Sequence, residues 1–219
     1  MRIQVFVDLV DPWSWLAVTR LERAVAAHTL RTGEPVEVVL RSFQLDPQAP
    51  SDHQPLLEAL AERLGGPEHA AEQVERVAEA ARPDGLEFDF EAAVRANTFD
   101  AHRLLSWASA AGGAGAQRDL AHELWRAHFG EGADLADHDT LASRAAAVGL
   151  DADAADVLLA SDDAADQVDL QLTTAAQAGI TQVPTVIVDG TYAVPGVQTE
   201  DAYLQVLDRL AGGAADGIG

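Results

Sequence analysis

Residues 3–16 read Ile3-Gln4-Val5-Phe6-Val7-Asp8-Leu9-Val10-Asp11-Pro12-Trp13-Ser14-Trp15-Leu16. The stretch as far as Val10 is apolar at nearly every position, which suits a strand buried on both faces rather than one that alternates between core and water. Asp11-Pro12 then changes the backbone. Asp is a preferred N-cap, and Pro at the first helical position gives up an amide that has no partner there. Leu16, Leu21 and Val25 continue at helical spacing until Gly33-Glu34-Pro35 stops the helix. A second β-rich run covers residues 36–43. Strand, helix and strand within about 40 residues make a βαβ unit, with parallel strands and a right-handed crossover. The start of the chain is therefore α/β.

Beyond Pro47 the β-branched clusters disappear until about residue 161, and Ala-rich amphipathic stretches replace them at 54–64, 67–81, 99–111, 116–128 and 140–148. Gly65-Gly66-Pro67, residues 112–115 and Gly130-Glu131-Gly132 punctuate this helical block as turns. No strand precedes the Gly112 cluster, so it reads as an interhelical loop and not as a phosphate loop. Asp-rich runs at 151–156 and 162–169 read as solvated faces and caps. A helix at 163–178 leads into Gly179-Ile180-Thr181-Gln182-Val183-Pro184. Asp189-Gly190 between β-branched runs then predicts a hairpin. A last helix, capped by Thr199, is expected to run to Leu210. The expected organisation is a core formed by 1–48 and 162–212, an all-helical insertion at 49–161 and a tail at 213–219 without order.

The 219 residues carry 36 acidic and 14 basic side chains, a net charge of −22, and every basic residue is Arg. Such a surface repels phosphate backbones and anionic lipids, so neither nucleic acid nor membrane is an expected partner. The chain contains no cysteine, which excludes disulfides, thiolate metal sites and cysteine nucleophiles. The apolar start reads as a strand, not a signal peptide, and no run approaches the roughly 18 apolar residues of a membrane span. The cytoplasm is the expected location.

Asp8-Leu9-Val10-Asp11-Pro12-Trp13-Ser14-Trp15-Leu16 resembles the segment of the DsbA family in which Cys-Pro-Trp-Cys opens the first helix. By this resemblance Asp11 and Ser14 occupy the two cysteine positions. Arg41-Ser42-Phe43-Gln44-Leu45-Asp46-Pro47 and Asn97-Thr98-Phe99-Asp100-Ala101-His102-Arg103-Leu104 resemble motifs of the FrnE-type branch. Glu131-Gly132-Ala133-Asp134-Leu135-Ala136-Asp137 fits as well, and Gly179-Ile180-Thr181-Gln182-Val183-Pro184-Thr185 is similar to the family's cis-proline loop. The resemblance spans residues 3–210 and implies a DsbA-like thioredoxin fold with a helical insertion. It extends to kappa-class glutathione transferases and 2-hydroxychromene-2-carboxylate isomerases, which carry Ser at the first motif position. This chain has Asp there, so their catalytic serine does not carry over.

A thiolate at a helix N-terminus attacks, and a second cysteine resolves the mixed disulfide. Asp11 and Ser14 do neither, so thiol–disulfide chemistry is excluded while the family fold remains. Asp11 reads either as a helix cap or as a general base that anchors a cationic or hydroxyl substrate. It would repel a bound thiolate. Ser14 is the second candidate catalytic residue, as a hydrogen-bond donor. Trp13, Asn97, His102, Arg103, Val183 and Pro184 are candidate substrate-binding residues, the insert residues because the resemblance turns them towards the motif. Against that, Asn97 and His102 stand about 140° apart on a regular helix, which favours an N-cap and a packed histidine. Trp15, Trp107 and Trp125 read as core or cleft aromatics. His122 and His128 are too far apart for one zinc-binding helix face, so no metal is expected, and no cofactor motif occurs. Two functions stay open. One is transformation of a small organic substrate, as an isomerase or tailoring enzyme, between core and insert. The other is a non-catalytic peptide-binding or chaperone-like module; either is compatible with a homodimer.

Overall fold

A computed structural model describes residues 1–50 and 53–215. β1 (Arg2–Val7), α1 (Pro12–Thr32) and β2 (Glu37–Ser42) form the expected βαβ unit. β1 and β2 run parallel, with Val5 beside Leu40. β3 (Thr185–Val188) joins the other side of β1 antiparallel, β4 (Tyr192–Pro195) pairs with β3, and the sheet order is β2-β1-β3-β4. The hairpin loop spans residues 189–191, with φ of 46° and 70° at Asp189 and Gly190 and the Thr191 amide donating to Val188 O (3.1 Å). α8 (Glu200–Ala215) closes the core by packing beside α1.

The insert contributes α2 (Leu56–Leu64), α3 (Pro67–Ala81), a 3₁₀ turn at Arg82–Asp84, α4 (Phe99–Glu131), α5 (His138–Ala147) and α6 (Ala152–Leu159); α7 (Ala165–Gln177) then leads back to the sheet. Two expectations change here. The turn at 112–115 is a break at one residue, Gly113, whose φ of 77° and ψ of −173° interrupt α4. A single glycine outside the helical region redirects the chain, so no loop is needed. The run 151–156, expected as a solvated face and cap, keeps its cap and also opens a helix with a buried face. Asp151 caps α6 through the Ala154 amide, and Ala155, Leu158 and Leu159 are buried, a pattern too short to stand out from its acidic neighbours. α8 also runs past residue 210 to Ala215, through Gly212 and Gly213. Residues 216–219, the rest of the expected tail, lie outside the described residues.

One hydrophobic core passes through both parts: Ile3, Val5 and Val7 of β1 join Leu104, Leu120, Leu124, Trp125 and Phe129 of α4. β2 is an edge strand whose outward backbone groups are covered by glutamines. Gln117 Oε1 accepts from the Leu40 amide (2.9 Å), and its Nε2 donates to Leu40 O (3.2 Å). Gln171 Oε1 accepts from the Ser42 amide (2.8 Å). These side chains occupy the pairing positions that another strand would take. Gln117→Leu is expected to lower stability by about 3 kcal/mol in urea unfolding, since both Leu40 groups lose their partner while buried. A loss under about 0.5 kcal/mol would show that water satisfies them instead.

Candidate functional site

The end of β1 and the start of α1 bring Asp8, Asp11 and Ser14 together. Asp11 has extended backbone angles (φ −106°, ψ 109°) and caps α1. Its Oδ2 accepts from the Ser14 amide (2.8 Å) and from the Ser14 hydroxyl (2.6 Å). Its Oδ1 accepts only a longer bond from the Trp13 amide (3.3 Å). One oxygen is thus saturated by the helix start and the other keeps a lone pair for a proton or a ligand.

Asp8 lies beneath this cap with no exposed surface. Its Oδ1 accepts from the Leu9 amide and its Oδ2 from the Leu45 amide, each at 2.7 Å. His102 Nε2 donates to Phe43 O (2.9 Å) and stands 3.5 Å from Asp8 Oδ1. The Trp125 indole donates to Asp8 O (3.1 Å). Asp8 therefore ties β1 to the β2 exit and to the insert, with its charge beneath Asp11. Burial pushes the Asp11 carboxyl up from 3.8 to about 7; the Ser14 hydroxyl opposes the shift and the Asp8 charge adds to it. A carboxyl in that range exchanges its proton near neutral pH, as a general acid–base requires.

Asp11 opens onto a cavity of about 540 Å³ between the motif and the α2–α3 hairpin. Pro12 and Trp13, Leu45, Leu60 of α2, Val77 of α3 and Phe90 wall it with apolar surface. Arg95 stands in the wall and donates through Nε to Asp46 (2.8 Å). Size and lining match a small-molecule site.

The candidate residues from the sequence separate into three groups. Asp11 and Trp13 line the cavity, with Ser14 buried behind Asp11. Val183 and Pro184 do not line it, although the pairing of Phe6 with Thr185 sets them at the same end of β1, where the Val183-Pro184 bond is cis. Asn97, His102 and Arg103 sit among backbone groups. The Asn97 carboxamide accepts from the Phe99 amide (3.0 Å) and the Gln44 side chain (3.1 Å) and donates to Pro47 O (3.1 Å), so it caps α4 from one residue before Thr98. His102 supports Asp8 from behind. Arg103 donates to the carbonyls of Leu158 (2.7 Å), Ser161 and Asp163 (2.9 Å) and to Asp100 (2.7 Å). The guanidinium is turned to the end of α6 and the segment after it, where it joins the Ser161 amide (3.2 Å) and hydroxyl (3.0 Å) as a donor to Leu158 O. Trp15 and Trp125 are buried. The Trp15 indole donates to His122 Nδ1 (3.1 Å), whose Nε2 donates to Glu22 (2.9 Å).

The sequence reading gave no role to Asp8, Arg95 or the α2 face. Asp8 lies in the motif segment, but its isolation from water depends on Leu45 and Trp125, residues 37 and 117 positions away. The periodicity of α2 is legible; the direction of its apolar face is not.

With Asp11 and Ser14 at the two motif positions and no cysteine in the chain, neither insulin disulfide reduction nor dithiol oxidation is expected. Insulin precipitation with dithiothreitol, or oxidation of a dithiol peptide, at a rate above buffer would refute this.

A family model for the DSBA-like thioredoxin domain matches residues 2–208. Among solved structures, a probable DsbA oxidoreductase from Streptomyces coelicolor is 34% identical, with a TM-score of 0.85 over 97% of this chain and 90% of that one. A 2-hydroxychromene-2-carboxylate isomerase is 16% identical, with a TM-score of 0.68 over 99% and 98%. The cytosolic disulfide reductase DsbM from Pseudomonas aeruginosa, solved with GSH, is 18% identical, with a TM-score of 0.63 over 96% and 99%. At those identities the last two show a shared fold alone. No curated protein matches the chain. Among the described residues no helix is long and apolar enough to cross a membrane. The strand order, the helical insert and the span of the match agree: this chain belongs to the DsbA-like thioredoxin family, with Asp-Pro-Trp-Ser where the redox motif stands.

Proposed function

We propose that the protein binds and transforms a small organic molecule in the cavity over Asp11, by moving a proton rather than electrons. The observation that carries this is a buried carboxyl, one oxygen of which accepts a single long hydrogen bond, in the wall of a cavity of about 540 Å³. In the proposed step Asp11 Oδ1 takes a proton from a carbon next to a carbonyl, leaving an enolate. Returning that proton to the same carbon regenerates the substrate, and returning it to a conjugated position isomerises it. No oxidant or second substrate is consumed. Ser14 holds Oδ2 and leaves Oδ1 to the substrate. The fold shared with an isomerase is compatible with such a role. A cytosolic setting, as the name of DsbM states for that protein, belongs to the same proposal.

The test is deuterium exchange at the α-carbon of 1-tetralone in D2O, followed by NMR. Exchange faster than buffer is expected, rising between pH 6 and 8 as Asp11 loses its proton. Asp11→Asn is expected to return it to background. A rate equal to buffer, or an unchanged rate in the variant, would sink the proposal.

The alternative is a non-catalytic module for an extended peptide. Val183 favours it, because it is half-buried and no hydrogen bond of its amide or carbonyl occurs among the described residues. Amide exchange slowed around 183 by an unstructured polypeptide, without turnover of any small molecule, would favour this reading.

A further inference from the structure

α2 is held at its ends rather than through its middle. Pro55 forms an isolated antiparallel bridge with Val94, and the Leu56 amide donates to Ala93 O (2.9 Å). At the other end Gly65 and Gly66 take φ of 85° and 145° before Pro67 begins α3. Between these points α2 packs mainly on α3, and none of its residues is fully buried. Yet Leu56, Ala59, Leu60 and Arg63 recur at i, i+3, i+4 and i+7, the spacing of one helix face, and all four line the cavity over Asp11. Such a face ordinarily closes on packed side chains, and protein interiors seldom keep large voids. A second cavity, also about 540 Å³, borders Leu57, Ala70 and Phe88 and shares Val74 and Phe90 with the first. The hairpin thus borders open volume on two sides.

The charges around the first cavity narrow what fits it. Arg95 is engaged by Asp46. Glu62 and Arg63 are consecutive, exposed and of opposite sign at the rim. Asp11, 5% exposed, is the one ionisable lining group that is buried, and it has no cationic partner. An anion meets Asp11 and a chain of charge −22 with no interior cation to receive it.

We infer that the ligand carries no negative charge, that it has an apolar, ring-sized body that packs under Leu56, Ala59 and Leu60 and against Trp13 and Phe90, and that it presents a hydroxyl or enol hydrogen to Asp11 Oδ1. The inference rests on the proposed role of Asp11 for the last contact only. The ligand body completes the packing that α2 lacks, so binding and ordering of the helix are one event.

Three probes share one ring system: 2-naphthol, naphthalene-2-carboxylate and 2-naphthylmethylammonium. Fluorescence titration at pH 7 is expected to show 2-naphthol binding, with the carboxylate about tenfold or more weaker than 2-naphthol and the ammonium. Amide exchange is expected to slow over residues 56–64. Leu60→Asp should abolish 2-naphthol binding. Ala59→Phe, which fills the cavity without adding charge, should weaken it about tenfold or more with an unchanged melting temperature, which guards against misfolding. Equal or tighter binding of the carboxylate, or protection around Val183 instead of α2, would overturn the inference. Asp11→Asn separates this inference from the acid–base proposal. If deuterium exchange is at buffer rate while 2-naphthol still protects α2 in both proteins, the acid–base proposal fails and the ligand class stands. If exchange depends on Asp11 but 2-naphthol does not bind, the ligand class fails and the proposal stands.

Discussion

Asp11→Asn is expected to be more stable than the parent at pH 8 and nearly equal to it at pH 4. Asp11 titrates near 3.8 in an unfolded chain and near 7 in the folded protein, where burial penalises its charged form. A carboxyl whose folded pKa is raised binds its proton more tightly in the native state. The stability that this binding contributes is complete below about pH 3.8 and is lost as the pH rises through about 7. A shift of about 3 units at about 1.4 kcal/mol each puts the largest difference near 4 kcal/mol. Asn carries no charge at any of these values, and its Oδ1 can still accept the Ser14 amide, so the cap is kept to within about 1 kcal/mol. Urea unfolding of both proteins from pH 4 to 8 reads the difference directly. Parallel stability curves would mean that Asp11 is an ordinary surface-like cap, and that the acid–base role has lost its basis.

The second large effect is expected at a residue with no part in the cavity. Arg103→Leu removes a buried guanidinium that serves three carbonyls at the end of α6 and the Asp100 carboxylate. Leu158 O keeps the Ser161 donors and Asp100 keeps His138, but the Ser161 and Asp163 carbonyls lose a charge-assisted donor while the network is buried, at a cost of about 3 kcal/mol. Asp100 also has its pKa lowered: burial opposes this, while Arg103 and His138 together outweigh it. Loss of Arg103 should therefore also move acid unfolding to higher pH, because part of the stabilisation of ionised Asp100 is gone. Binding of 2-naphthol below the new melting temperature should be unchanged. A variant with near-parental stability but lost ligand binding would return Arg103 to the binding site.

The insert residues show where a resemblance stops being informative. The resemblance turns Asn97, His102 and Arg103 towards the motif, while helix geometry favours a cap at Asn97 and a packed His102; a family motif gives relative order without saying which way each side chain turns. In the structure each side chain answers a local demand: the Phe99 amide at the start of α4, the Phe43 carbonyl beside Asp8, and the carbonyls of Leu158, Ser161 and Asp163 at and after the end of α6. The kink at Gly113 belongs to the same class of result. Four small residues at 112–115 signal a break, whereas the continuation of one hydrogen-bonded helix across a single positive φ depends on what packs at either end.

Local chemistry along the chain determined much of this protein. Asp11-Pro12 starts a helix in any context, Asp189-Gly190 turns a hairpin, and a chain without cysteine has no thiol chemistry. Those properties belong to residues that are neighbours in sequence or to atoms that are simply absent. The tertiary structure alone decided what Asp11 is besides a cap. Its proton affinity follows from exclusion of water by residues far along the chain, from Asp8 held beneath it by Leu45 and Trp125, and from a cavity walled by α2, α3 and Phe90. Desolvation depends on everything that surrounds a group, so it is fixed only when distant segments close around it.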